Sequence, residues 1–148
     1  MTTSIGTMTR EQRKSVALEL FKRFDTGSDF LELFDDHATA YFPKWGVANG
    51  KSEISRMFGE ISVLFTEFRH FPEYTNFVVE DDLVVAEGIT YGTTADGTPW
   101  RPGLTHAGRF VDIMEIRDHK IHRLFTYVDP DFAGADTTRY PWLAADDA

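Results

Sequence analysis

Apolar residues recur at two different periods along this chain, and the change of period separates a helical first half from a strand-rich second half. Thr9 followed three residues later by Gln12 predicts a capping box that opens a helix near Arg10, and Gly27 predicts where that helix ends. Its apolar face follows helical spacing and contains Val16, Ala17, Leu20, Phe21 and Phe24.

Two further helices are predicted in the first half. Asp29 with Glu32 predicts the cap of a short second helix whose apolar face is Phe30, Leu33 and Phe34. Ser52 predicts the start of the longest helix, and the apolar stripe of that helix consists of Ile54, Met57, Phe58, Ile61, Leu64, Phe65 and Phe68. Between these helices, residues 39–42 form a short predicted strand that Pro43 stops.

In the second half of the chain, apolar and polar residues alternate with the two-residue period of β-strands. Residues 74–80 and 83–93 flank the turn at Asp81, and residues 109–117 and 120–128 flank the turn at Asp118, so two hairpins are predicted. Helices followed by long strands indicate an α+β fold in one domain over residues 1–148, with its core at about 10–130. The tail, 131–148, contains an apolar group at 140–143 that we expect to dock, and residues 144–148 are expected to fray.

The amino-acid composition limits the kinds of molecule that this protein is expected to bind. The 148 residues include 24 acidic and 15 basic side chains, for a net charge of −9, and no cluster of Lys and Arg is present. We therefore expect neither nucleic acid nor an anionic membrane surface as a partner. Thirteen phenylalanines indicate that aromatic rings supply much of the core and of any cavity wall.

The sequence predicts no metal and no cofactor. It contains no cysteine, and His119 and His122 belong to no cluster that completes a three-ligand site. No glycine-rich phosphate loop or serine nucleophile elbow is present. The first nine residues lack the basic stretch and apolar run of a signal peptide, and no apolar run approaches the length of a membrane span, so we expect a cytoplasmic protein.

Three segments carry a resemblance to a known family. They are residues 34–43 (FDDHATAYFP), 50–54 (GKSEI) and 110–121 (FVDIMEIRDHKI). Together with the order of elements they resemble the SnoaL-like branch of the nuclear transport factor 2 superfamily, which includes polyketide cyclases, steroid isomerases, limonene epoxide hydrolases and scytalone dehydratase. The resemblance implies a cone-shaped, curved antiparallel sheet that encloses an apolar pocket together with three N-terminal helices.

Asp112 is the foremost candidate for chemistry. On its predicted strand it shares a face with Phe110, Met114 and Ile116, so we expect it to point into the cup. A carboxyl group in an apolar pocket tends towards its neutral form, which can donate a hydrogen bond to a developing oxyanion. The resemblance implies that it matches the oxyanion-hole Asp of steroid isomerases. The alternative is a buried Asp satisfied by an Arg or by backbone amides.

The resemblance also shows where this chain departs from its relatives. Steroid isomerases carry their base just before the position of Pro43, where this chain has Phe42. SnoaL-type cyclases carry an acid/base Asp on the last strand, where this chain has Thr126. Other side chains would then have to carry protons.

Three such candidates are His106, His37 and Tyr41. His106 could form a dehydratase-like couple with Asp112, or be an exposed loop residue. His37 could act as an acid or base, or be a cation at a helix end. Tyr41 could donate a hydrogen bond from its phenolic hydroxyl, or be an aromatic residue that only packs on its strand. Arg101 could hold a substrate anion or be a solvated loop charge. The predicted lining of the cup is Phe42, Trp45, Met57, Phe58, Trp100, Arg101, Met114 and Thr126.

These residues predict a cofactor-independent isomerase, cyclase or dehydratase that transfers protons on a cyclic, polyketide- or steroid-like molecule. A non-catalytic ligand-binding or accessory protein of the same fold is the alternative, and a subunit-association module is a third interpretation.

The alternation of residues 83–93 also predicts a homodimer. One face carries Val84, Ala86, Gly88, Thr90 and Gly92, which the resemblance places inside. The opposite face carries Leu83, Val85, Ile89 and Tyr91 together with Glu87, and Val111 and Ile113 extend it. We expect this face to be too apolar to remain exposed to water. We expect this outer face to pair with a second copy of the chain.

Overall fold

The computed structural model describes residues 7–143, and the predicted fraying of residues 144–148 lies outside that range. Its elements in chain order are α1 (Arg10–Thr26), a 3-10 turn (Leu31–Leu33), β1 (Phe34–Phe42), β2 (Gly46–Asn49), α2 (Gly50–Ser62), β3 (Phe65–His70), a second 3-10 turn (Pro72–Tyr74), β4 (Asn76–Glu80), β5 (Leu83–Thr94), β6 (Pro99–Trp100), β7 (Arg109–Arg117) and β8 (Lys120–Val128).

Helix α1 begins and ends where its local signals predict. The Thr9 hydroxyl accepts a hydrogen bond from the backbone N–H of Gln12, and the Gln12 side chain accepts one from the N–H of Thr9. Gly27 adopts φ 68°, a left-handed conformation that costs glycine little, and its N–H donates back to the last turn. Ala17, Leu20 and Phe21 form the buried face.

The prediction of three N-terminal helices is wrong, because the described chain contains two α-helices. The second predicted helix is a single 3-10 turn, since Phe34 already begins strand β1. Backbone pairing decides this, because β1 lies beside β8 and Phe34 is in register with Ile121. That pairing is parallel, so the sheet is not purely antiparallel as predicted.

The predicted long helix also ends early, and α2 is shorter than α1. Phe65 and Phe68 fit a helical period, yet they lie on β3, which pairs with β5. The pairing is possible because Gly92 on β5 has no side chain: a Cβ there would lie 2.0 Å from the carbonyl oxygen of Glu67. A close approach of two backbones thus overrides a local helical pattern.

One curved sheet carries the fold. Its main strand order is β2-β1-β8-β7-β5-β3, and β4 and β6 also pair with β5. The two hairpins joined at Asp81 and Asp118 form as predicted. Along β5, Val84, Ala86, Gly88, Thr90 and Gly92 are buried and the intervening residues are more exposed, so the predicted inner face is confirmed. In the tail, Phe132 is buried, Tyr140 contacts His106, and Trp142 is exposed.

We expect Gly92→Ala to lower the free energy of unfolding by about 1–3 kcal/mol or more, because the added methyl group meets backbone and not a flexible side chain. Gly59→Ala on α2 is the matched control: no atom lies within 4 Å of its added Cβ, and alanine favours a helix by up to about 1 kcal/mol. Urea unfolding of both variants checks this, and equal stabilities would contradict the close-approach argument.

Candidate active site

A cavity of about 730 Å³ lies between the inner face of the sheet and the two helices. Volumes of this size hold drug-sized ligands. The lining is strongly aromatic, and its phenylalanines are Phe24, Phe30, Phe42, Phe58, Phe65, Phe68, Phe110 and Phe132. The buried and half-buried polar groups on the sheet side of the cavity are Asp112, Thr126, Thr90 and His70, and the exposed β3 residues Thr66, Glu67 and Arg69 also line it.

Asp112 points into this cavity, as the alternation along its strand predicts. It is 5% exposed and lies on β7 between two inner-face neighbours, Ala86 on β5 and Thr126 on β8, with which it is in direct register. Its Oδ1 atom is buried and has no hydrogen-bond partner among residues 7–143. The alternative of a buried Asp fully satisfied by an Arg or by amides therefore does not describe this side chain.

Burial raises the pKa of the Asp112 carboxyl to about 6. The main cause is the loss of water around the charged form. Two smaller influences lower this pKa: the Thr126 hydroxyl, by hydrogen bonding, and the charge of His70. Because Oδ1 is unpaired, the hydrogen bond of Thr126 still leaves one carboxyl oxygen of Asp112 without a partner among the described residues. Near neutral pH the group can thus exist with or without its proton.

His70 is a half-buried titratable group of the cavity lining, and it is paired with Asp25. The Nδ1 atom of His70 lies 2.6 Å from Oδ1 of Asp25, and the backbone N–H of His70 donates to Oδ2 at 2.9 Å. Asp25 lies in the last turn of α1, and His70 is the last residue of β3. The pair therefore joins the end of the first helix to the edge of the sheet.

Aromatic contacts fix the plane of the His70 ring. It stacks on Phe21 with centroids 4.5 Å apart, and it meets Phe110 edge to face at 5.4 Å. Phe68 packs beside it at 5.3 Å. A ring held on three sides keeps one orientation, so the direction of its nitrogens is set by the fold.

Four of the side chains predicted for the site line this cavity: Asp112, Phe42, Phe58 and Thr126. Three others, Met57, Trp100 and Met114, are buried in the core without being part of the lining. Trp100 packs against Phe65, Phe68 and Phe132, behind the cavity wall.

The remaining predicted side chains lie elsewhere. His37 is exposed on β1, and Tyr41 packs with Phe125 and Tyr127 on the outer face. His106 contacts the ring of Tyr140, lies outside the lining, and has no hydrogen bond with Asp112. Trp45 donates to Glu60 at 3.1 Å, and Arg101 is exposed. His37 and Tyr41 lie on β1, whereas Trp45, Arg101 and His106 lie outside the strands, and none of the five is part of the lining that contains Asp112.

Sequence reasoning missed His70 and Asp25. Asp25 stands in the segment that ends α1, where an acidic residue is unremarkable, and His70 follows the stretch assigned to the long helix. No local pattern joins two residues 45 positions apart. A correct assignment of β3 would have been the one useful signal, since it places His70 opposite Thr90 on the inner face.

Among residues 7–143, no group of three His, Asp or Glu side chains is arranged to hold a metal ion. Within the same range, neither helix has the length and apolar character needed to cross a bilayer.

Asp112→Asn should make the protein more stable at alkaline pH. The raised pKa means that the folded state holds the proton more tightly than the unfolded state, so wild-type stability falls as the pH rises from about 4 through 6. We expect the variant to exceed the wild type by roughly 3 kcal/mol at pH 8 and to lose that advantage near pH 4.

Urea unfolding at pH 4, 6 and 8 measures this difference. Glu73→Gln serves as the control, since Glu73 is exposed and should show no such pH-dependent gain. An Asn variant that is equally or less stable than the wild type at pH 8 would contradict the burial of a carboxylate.

Comparisons with known proteins agree on the fold. Residues 17–124 match the family model described as a SnoaL-like domain. None of the curated proteins matches the sequence. Similar solved structures include a nuclear transport factor 2-like protein from Anabaena variabilis, with 22% identity, a TM-score of 0.68 and coverage of 85% of this chain and 96% of that one.

Two further structures carry more specific descriptions. A proposed polyketide cyclase from Xanthomonas campestris has 13% identity and a TM-score of 0.71, with coverage of 84% of this chain and 97% of that one. TerC, which was co-crystallised with polyporic acid, has 17% identity and a TM-score of 0.68, with coverage of 90% and 98%. At these identities the likeness establishes the architecture alone. Because the family model covers most of its length, the chain belongs to the SnoaL-like domain family.

Proposed function

We propose that this protein binds a small, cyclic, hydrophobic molecule in its cavity and catalyses cofactor-independent proton transfer on it, as an isomerase, cyclase or dehydratase. The observation that carries the proposal is the carboxyl group of Asp112, which is buried in an aromatic cavity with one oxygen unpaired. An unpaired buried polar atom costs stability, and such groups are tolerated where a ligand uses them.

The neutral form of Asp112 is suited to donating a hydrogen bond to a ligand. A protonated carboxyl can donate a hydrogen bond to the carbonyl oxygen of a ligand, and that bond strengthens as the oxygen gains negative charge during enolisation. Because Asp112 is only 5% exposed, this interaction is stronger than it would be in solution. Isomerisation, aldol-type cyclisation and dehydration all pass through such an oxyanion.

The eight phenylalanines of the lining favour a flat, apolar ligand. Phenylalanine side chains approach it from both helices and from the sheet, and they offer ring faces and edges but no hydrogen bonds. The descriptions of two structural neighbours, a proposed polyketide cyclase and a proposed Bacillus subtilis isomerase, are consistent with this class of chemistry.

A ligand-binding role without catalysis uses the same cavity. It is favoured by Thr126, which stands beside Asp112 and carries a hydroxyl where the resemblance implies a proton-carrying Asp. Binding without proton exchange is the outcome that would distinguish it.

Proton exchange into a ketone tests the catalytic role directly. We expect the protein to accelerate deuterium incorporation at the α-carbons of 2-tetralone in D₂O, followed by proton NMR. Asp112→Leu removes the donor and should slow this exchange by about 10²–10³-fold. Asp112→Asn keeps an N–H donor at every pH, so its rate relative to the wild type should rise as the pH increases through about 6.

Full activity in the Leu variant would contradict the role of Asp112. A wild-type protein that binds the ketone without exchanging its protons would support the binding role instead.

The outer face of the sheet supports our proposal of a homodimer. Cross-strand register aligns six of its apolar residues in one row across six strands: Val78, Val85, Ile113, Phe125, Tyr41 and Val47. Val78 and Val47, at the two ends, are 60% and 52% exposed. With about 4.8 Å between neighbouring strands, the row is roughly 24 Å long. It is therefore a continuous apolar strip and not a single exposed apolar residue, and a second sheet could pack on it face to face.

Sedimentation at micromolar concentration should give twice the chain mass of 16.9 kDa. Ile113→Lys places a charge in the middle of the row and should convert the dimer to a folded monomer, whereas Glu73→Lys, away from it, should not. A monomeric wild type would contradict the proposal.

A further inference from the structure

We propose that His70 is the proton acceptor of this cavity and that Asp25 is its positioning residue. This inference rests on the proposed function, because proton transfer needs a base as well as a hydrogen-bond donor. Asp112 acts as the donor, so a second group has to accept the proton. Neither residue belongs to the set that the sequence indicated.

The hydrogen bonds of Asp25 determine which nitrogen of His70 is basic. Both oxygens of the Asp25 carboxyl accept, one from the backbone N–H and the other from the ring. A carboxylate that only accepts requires Nδ1 to carry the hydrogen, so Nε2 holds the free lone pair of the neutral ring. Among the described residues Nε2 has no hydrogen-bond partner, and the side chain lines the cavity.

Burial makes this arrangement rigid. The side chains of His70 and Asp25 are only 6% and 15% exposed, and Phe21 and Phe110 hold the ring from its face and its edge. A catalytic base needs a fixed direction as well as a suitable lone pair, because proton transfer requires close and aligned approach.

Strand pairing places His70 and Asp112 around the same ligand space. His70 on β3 is opposite Thr90 on β5, and Asp112 on β7 is opposite Ala86 on β5, so both project from the inner face. Both side chains line the same cavity. A ligand in the cavity therefore meets a base and a donor together.

The proton transfer balances with these groups alone. The C–H bond next to the ligand carbonyl breaks, its proton forms an N–H bond at Nε2, and its electron pair becomes the enolate. The enolate oxygen accepts the hydrogen bond of the neutral Asp112, while the Asp25 carboxylate stabilises the imidazolium. In a β,γ-unsaturated ketone the electron pair of the enolate extends to the γ-carbon, and return of the proton from Nε2 to that carbon isomerises the ligand. Where a hydroxyl stands at the β-carbon, its departure as water with one proton completes a dehydration.

If His70 and Asp25 had only a structural role, their substitution would change stability and not the rate of proton exchange. Asp25 also ties the end of α1 to β3, so its loss could lower stability without touching catalysis. The experiment must therefore separate the rate of exchange from folding and from ligand binding.

Two substitutions make that separation. In His70→Gln the base is gone, and in Asp25→Asn the side-chain amide can donate to Nδ1 and so favour the tautomer whose Nε2 carries the hydrogen. We expect each to slow deuterium exchange into 2-tetralone by about 10²–10⁴-fold. Binding of 2-naphthol, a flat mimic of the enol followed by its fluorescence, should change less than about 3-fold in both. His106→Gln, outside the cavity, is the matched control and should keep the full rate.

Chemical rescue gives a readout that a structural role would not move. Imidazole added to His70→Ala should enter the space left by the ring and restore exchange in proportion to its concentration, with no such effect on Asp112→Leu. If the wild type exchanges and both His70→Gln and Asp25→Asn keep its rate, the inference is overturned while the proposed function stands. If the wild type binds 2-naphthol but exchanges nothing, or binds neither probe, the proposed function fails and this inference fails with it.

Discussion

The desolvation of one carboxyl group is the constraint on which this site depends. Asp112 is held on the inner face by β5 on one side and β8 on the other, so its side chain cannot turn to water without breaking two ladders. The fold tolerates this cost because most of its other buried residues are apolar. A buried charge that is not fully paired is more readily neutralised than solvated, and a neutral acid among aromatic rings is a useful donor.

The same sheet explains how a second proton carrier reaches the cavity. Strand β3 lies close against β5 only because Gly92 lacks a side chain, and β3 ends at His70. The C-terminal end of α1 then brings Asp25 to the imidazole. A glycine, a strand end and a helix end, distant in sequence, thus together position one ring beside phenylalanines of the cavity lining.

Sequence reasoning succeeded where the determinant is local and failed where it is not. The capping box at Thr9, the turn at Gly27 and the alternation that turns Asp112 inward all depend on neighbouring residues, and each is present in the structure. The resemblance supplied the family. Phe65 and Phe68 were assigned to a helix because three-residue spacing fits a helix as well as an irregular strand, and that error hid His70. The pairing of His70 with Asp25 is a tertiary contact that no local pattern encodes.

The central claim is that the carboxyl group of Asp112 is protonated at a higher pH than an exposed aspartate. Carbon-13 NMR of protein labelled at the aspartate carboxyl carbons, with the Asp112 resonance assigned by its loss in Asp112→Asn, measures that protonation without any ligand. The account predicts one carboxyl that titrates near pH 6. A resonance for Asp112 that stays in its ionised position down to about pH 4, the ordinary behaviour of an exposed aspartate, would contradict it.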